Sequence, residues 1–131
     1  MGIDIDTLSV MTRQYLEAAL WSSYAHEGDK IEEESPLDNH FSVADFALSS
    51  VDVANQDCEA FKAKAREAGV DVDALDDEDL GHDFWLTRNR HGAGFWDGDY
   101  EDAVGKKLTE IAHTFGECNA IIGDDENIHL E

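Results

Sequence analysis

Positive charge is scarce in this chain. Its 131 residues hold nine Lys plus Arg against 31 Asp plus Glu, a formal net charge of -22, whereas a small soluble domain ordinarily carries a magnitude of roughly 2–8. So few cations argue against a phosphate-neutralising patch, and hence against direct binding to DNA or RNA. Self-repulsion on this scale costs stability. The charge is therefore either tolerated for solubility in high salt or matched to a basic partner.

Cysteine occurs only at Cys58 and Cys118. With no C-x-x-C and no Cys/His ligand spacing, the pair reads as buried free thiols in a reducing cytosol, a disulfide being the alternative. No apolar run approaches the roughly 20 residues of a membrane span, and the N-terminus lacks the basic start and apolar block of a signal peptide. The expectation is a cytoplasmic protein with no membrane association, a monomer or homodimer without metal or cofactor. Proline occurs once, at Pro36. No G-x-S-x-G, Walker A or H-E-x-x-H pattern is present. From Asp71, an EF-hand would need Gly at its sixth position and Glu at its twelfth, where Asp76 and His82 stand. The length fits one domain, residues 1–131, able to bury a core without staples.

What is present divides into periodic segments and acidic connections. Asp6 or Thr7 can cap a helix running to about Ala25, with Leu8, Met11, Tyr15 and Ala19 on its apolar face and Trp21 at the edge. Residues 27–40 form an acidic surface loop carrying Glu32, Glu33 and Glu34. Ser42 and Asp45 have capping-box spacing before a stripe of Ala47, Val51, Ala54, Cys58, Phe61, Ala65 and Ala68 that stops at Gly69, a natural C-cap. That is one long helix, or two broken near Ser49-Ser50. Residues 70–80 bring Asp76, Asp77, Glu78 and Asp79 together and predict a turn and a short capped helix.

Residues 81–99, GHDFWLTRNRHGAGFWDGD, concentrate aromatics, glycines and cations. Phe84-Trp85-Leu86-Thr87 has strand propensity, Asn89-Arg90-His91-Gly92 has turn chemistry, and Phe95-Trp96 resumes the strand, so the stretch predicts a β-hairpin. Its aromatics read as core or as a protein-binding patch; a nucleic-acid stacking platform would need a basic groove that two Arg do not make. A helix from Asp99 or Tyr100 follows, with Val104, Leu108, Ile111 and Phe115 buried and Gly116 at its end. Residues 118–122 and 127–130, joined by Gly123-Asp124-Asp125-Glu126, predict a second hairpin. Leu130-Glu131 has the composition of a cloning scar. The expected class is α+β: a small, mainly antiparallel sheet of two hairpins packed with two or three amphipathic helices.

The motif HDFWLTRNRHGAGFWD at residues 82–97, followed by an amphipathic helix ending in Phe115-Gly116, is similar to one recurring in small, mostly uncharacterised proteins of bacteriophages and mobile elements. Residues 16–23, LEAALWSS, are a fainter match. The resemblance brings no catalytic residues. It implies a viral or mobile-element origin and a role in host takeover or counter-defence.

Beside a halophilic acidic domain of unknown role, whose charge would serve solubility in high salt, two more specific functional readings are left open. In the first, the acids imitate the phosphate array of duplex DNA and block a basic host protein that handles nucleic acid, such as a defence nuclease or CRISPR effector. Its surface would comprise Glu32, Glu33, Glu34, Asp76, Asp77, Glu78, Asp79, Asp97, Asp99, Glu101, Asp102, Asp124, Asp125 and Glu126. In the second, His82, Asp83, Arg88, Asn89, Arg90 and His91, with Asp97, line a small active site. His with Asp would supply acid and base, and two Arg would hold a phosphate or carboxylate. Each residue has a bland reading too: a charge run is a solvated face, and an Arg among 31 acids has pairing to do.

Overall fold

Among the described residues, four α-helices and one two-stranded antiparallel sheet make an α+β fold. The computed structural model describes residues 8–24, 36–90, 95 and 100–131. Helix α1, Val10–Trp21, is capped by Ser9, whose hydroxyl accepts the Thr12 N–H, rather than by Asp6 or Thr7. Its face of Met11, Tyr15, Leu16, Ala19 and Leu20 is buried, as the spacing predicts. Tyr24 and Pro36 then form an isolated antiparallel bridge, and the Leu37 N–H donates to the Ser23 carbonyl at 3.0 Å. The acidic loop therefore leaves and rejoins the fold at one place, with residues 25–35 outside the described set.

Ser42 and Asp45 do form a capping box, but on a 3-10 turn, Val43–Asp45, and not on the long helix. Extended residues Phe46 and Ala47 separate that turn from helix α2, Leu48–Glu67, which runs unbroken through Ser49-Ser50. Val51, Ala54, Cys58, Phe61 and Ala65 bury their side chains as the stripe requires. At its end Gly69 takes φ +89, so its N–H reaches the Arg66 carbonyl and the Val70 N–H the Ala65 carbonyl, closing a Schellman motif.

The first predicted hairpin is not there. Residues Asp77–Arg88 are helix α3. Asp76 caps it, its Oδ1 accepting the N–H groups of Glu78 (2.8 Å) and Asp79 (3.3 Å), and the acids of the first turn complement the positive end of the dipole. Strand propensity loses because α3 lies against α1 at very short range. A Cβ on Gly81 would stand 2.1 Å from the Met11 carbonyl oxygen, an approach only glycine permits. Beyond Gly81 the helix is wrapped on nearly every side: Asp83, Phe84, Trp85, Leu86, Thr87 and Arg88 are all buried.

Helix α4, Asp102–His113, brings the α-helices among the described residues to four, against the two or three expected from the sequence pattern. It buries Gly105, Leu108 and Ala112, with Val104 and Ile111 packed at the margin. Strands β1, Ala120–Ile122, and β2, Ile128–Leu130, form the predicted second hairpin, with Ile121 opposite His129. Ala47 and Ser50, at the start of α2, hold β2 through the Ile128 carbonyl and the Leu130 N–H. Leu130 and Glu131 are integral to this pairing, the latter exchanging two backbone hydrogen bonds with Asn119.

At the centre, Phe61 of α2 stacks on Phe84 (4.4 Å between centroids) and on Phe95 (5.5 Å), while Tyr15 meets Trp85 edge-on at 5.2 Å. Phe84, Trp85 and Phe95 are thus core, one of the two roles open to the motif's aromatics; Trp96 lies outside the described residues. Cys58 is buried and Cys118 half-buried, both as free thiols, and burial pushes Cys58 up to about 12.

Candidate functional site

Helical geometry parts His82 from Arg88, which a hairpin loop would have gathered. Six positions apart on α3, His82 and Arg88 project from different sides of the helix. His82 Nδ1 lies 2.9 Å from Asp83 Oδ1, and the Tyr100 hydroxyl donates to Asp83 Oδ2 at 2.8 Å. Asp83 is buried while His82 keeps 39% of its side chain exposed and stacks on Trp21 at 5.5 Å. The His/Asp pairing of the sequence reading therefore exists, with Tyr100 as a third member that no spacing rule connects to it.

Arg88 faces the other way, into the protein. Its Nη1 donates to the Tyr15 hydroxyl (2.8 Å) and to Asp57 Oδ2 (2.9 Å), its Nε to the Gly116 carbonyl (2.9 Å) and its Nη2 to the Phe115 carbonyl (3.0 Å). The rings of Phe84 and Phe115 lie at 5.7 Å from the guanidinium carbon. Burial opposes its charge, but the phenol of Tyr15 and the carboxylate of Asp57 overcome that and hold its pKa above the ordinary value. Burial likewise raises the Tyr15 phenol, which stays neutral and able to accept. With four of its five N–H groups committed inside the protein and the side chain only 6% exposed, Arg88 is turned away from any substrate phosphate or carboxylate, so the anion-holding role expected of it is corrected to a structural one.

Asn89 closes the helix: its Nδ2 donates to the Trp85 carbonyl at 3.0 Å and its Oδ1 accepts the Cys118 N–H at 2.7 Å. Arg90 is exposed and takes φ 60, the left-handed conformation usually given to glycine after a helix. That conformation costs a side-chain-bearing residue about 1–2 kcal/mol, partly offset by the lower unfolded-state entropy of a non-glycine. Arg90→Gly should therefore stabilise the protein by about 0.5 kcal/mol, and Arg90→Val should destabilise it by more than about 1 kcal/mol. Opposite signs in urea unfolding check the backbone assignment. His91 and Asp97 lie outside the described residues.

The acids fall into separate groups. Asp76 caps α3, Asp77 pairs with Lys62 at 2.8 Å, Asp73 pairs with Arg66 at 3.0 Å, and Glu78 is exposed. Glu101 and Asp102 stand exposed where α4 begins. At the tip of the β hairpin, Asp124, Asp125 and Glu126 are exposed, and Glu126 takes φ 66. His129 hydrogen-bonds Asp125 at 2.9 and 3.2 Å, and with the Asn127 N–H it holds that carboxyl below its ordinary pKa. Any stability this supplies is present above the unfolded-state carboxylate pKa and is lost as the pH falls through the folded one. Glu32, Glu33, Glu34, Asp97 and Asp99 lie outside the described residues.

Helix α2 supplies a ruler between two of these groups. The hairpin is tied to Ala47 and Ser50, whereas Asp77 is tied to Lys62, so their anchors lie about 20 Å apart along α2. Asp52 and Glu59, both exposed and one heptad apart, occupy that interval about 10 Å from one another. The i, i+7 spacing of this pair is legible in the sequence, but both acids sit outside any acidic run, the pattern by which a charged surface is recognised there.

No family model, curated protein or solved structure matches the chain. Among the described residues, no three His, Cys, Asp or Glu side chains are grouped to hold a metal ion, and no helix is long and apolar enough to cross a membrane.

Proposed function

We propose that this protein is an acidic binding domain that covers a basic, nucleic-acid-handling surface of another protein, in the manner of a phage-type inhibitor of host defence. The observation that carries the reading is how the chain spends its cations. Lys62, Arg66 and Arg88 are paired with Asp77, Asp73 and Asp57, Lys107 donates to the Ala68 carbonyl, and Lys64 lies over the Phe115 ring. Five of the nine cations are thus engaged within the chain, although Lys64, Arg66 and Lys107 stay at the surface, and carboxylates such as Asp52, Glu59, Glu101, Asp102 and Asp124 are exposed around them.

A charge-driven complex weakens steeply as salt screens it. Pull-down from a bacterial lysate at about 0.1 M salt should recover a basic nucleic-acid-binding protein, and at about 1 M, where the Debye length is only about 3 Å, recovery should collapse. The same partner should lose its DNA or RNA in competition with the domain. Recovery of no basic nucleic-acid-binding partner at either salt would overturn the proposal.

Among the described residues, the enzyme reading keeps the pair His82 and Asp83. Arg88, which was to bind its substrate, is turned into the core.

A further inference from the structure

Where α1 ends, an open groove of about 270 Å³ runs between Tyr24, Trp85 and the segment entering β1. That is enough for one extended side chain and below the roughly 300–1,000 Å³ of small-molecule pockets. Three other surface grooves each contain a cation of the chain's own: Lys106 in one, Lys62 and Arg66 in another, Lys107 in a third. Among its described lining residues this one has no cation and one carboxylate, the exposed Glu117.

The floor of the groove is built, and its main donors are spent. The Trp85 indole N–H goes to Ser22 Oγ at 2.8 Å, and the Asn89 amide is used on both sides, giving to the Trp85 carbonyl and accepting from the Cys118 N–H. Of the other lining side chains, the Tyr24 ring is 53% exposed and Glu117 is exposed as the one charged group, beside the neutral Ser23 and Asn119. A π face and a carboxylate on a fixed floor attract a cation and give an anion little to bind.

We infer that this groove receives an arginine side chain of the basic partner. The inference rests on the binding role proposed above and adds where the partner is gripped. Arginine fits better than lysine because its planar guanidinium can lie on a phenol ring while its fork of N–H groups meets a carboxylate. It gives an otherwise diffuse electrostatic attraction a specific anchor, of the kind that exposed aromatics form at protein interfaces.

The test uses the full chain with an oligoarginine and an oligolysine peptide of equal length, titrated calorimetrically at low salt. Tyr24→Leu and Glu117→Gln both alter exposed side chains and should leave the melting temperature unchanged. Each should weaken oligoarginine binding several-fold, and together about tenfold or more, while oligolysine, which senses chiefly the overall charge, should change less than about twofold. Equal losses for both peptides, or undiminished oligoarginine binding, would overturn the assignment. The same double variant separates this inference from its premise. If pull-down captures a basic protein equally well with the variant, the groove is wrong and the binding role stands; if the peptides behave as expected and no basic protein is captured, the groove stands and the role falls.

Discussion

Replacing Arg88 by alanine is expected to lower the unfolding free energy by about 3 kcal/mol, the low end of the range for breaking a buried ion pair. The side chain is 6% exposed and joins four separate parts of the chain: Tyr15 of α1, Asp57 of α2, its own helix, and the Phe115 and Gly116 carbonyls beyond α4. Its removal leaves two carbonyls and a buried phenol without a donor and one carboxylate without its counter-ion. Asp57 moderates the cost because 29% of its side chain reaches water, so it can be rehydrated. For a chain of this length a loss of that size is a drop of roughly 10 °C in melting temperature. Lysine should not rescue it, since an ammonium cannot span acceptors arranged around a planar fork. Calorimetric melts of Arg88→Ala and Arg88→Lys decide the matter; a shift of only a degree or two would mean that the buried network contributes nothing. It follows that lost activity in an Arg88 variant reports on folding first and cannot by itself identify a substrate-binding residue.

Gly81→Ala should also destabilise, by about 2 kcal/mol, although helix propensity alone predicts a gain of about 1 kcal/mol for the same change. The added methyl would fall 2.1 Å from the Met11 carbonyl oxygen and 3.0 Å from the Tyr15 nitrogen. Both are backbone atoms of α1 and cannot rotate aside, so the helices must separate, at the upper part of the roughly 1–3 kcal/mol range for overpacking. Separation would also loosen the contacts of Tyr15 with Phe84 and Trp85. Urea unfolding gives the sign directly. A stabilised Gly81→Ala protein would refute the close α1–α3 approach on which the helical state of residues 77–88 depends.

The sequence by itself determined those parts where one face is dry and the other wet. Helix α2 could be read from its three-or-four stripe and from Gly69, which takes the positive φ expected of it, and the β hairpin from two short apolar runs around an acidic turn. The charge, and with it the expectation of a basic partner, is likewise a property of composition. Residues 83–88 offered no such contrast. Every one of them is buried, so no polar face marks a period of 3.6, and a short run of bulky apolar residues is compatible with a strand or a buried helix. Asp76, which caps the helix seven residues upstream, fits the short capped helix expected within residues 70–80, but nothing in the sequence carries that helix on through residues 83–88. Only the tertiary structure decided between the two states, because the choice is made by α1: its backbone leaves room at Gly81 for another helix and places Tyr15 where Arg88 can reach it. The same decision parted His82 from Arg88, since a helix turns residues six places apart toward different sides, where a hairpin loop would have held them together at one edge.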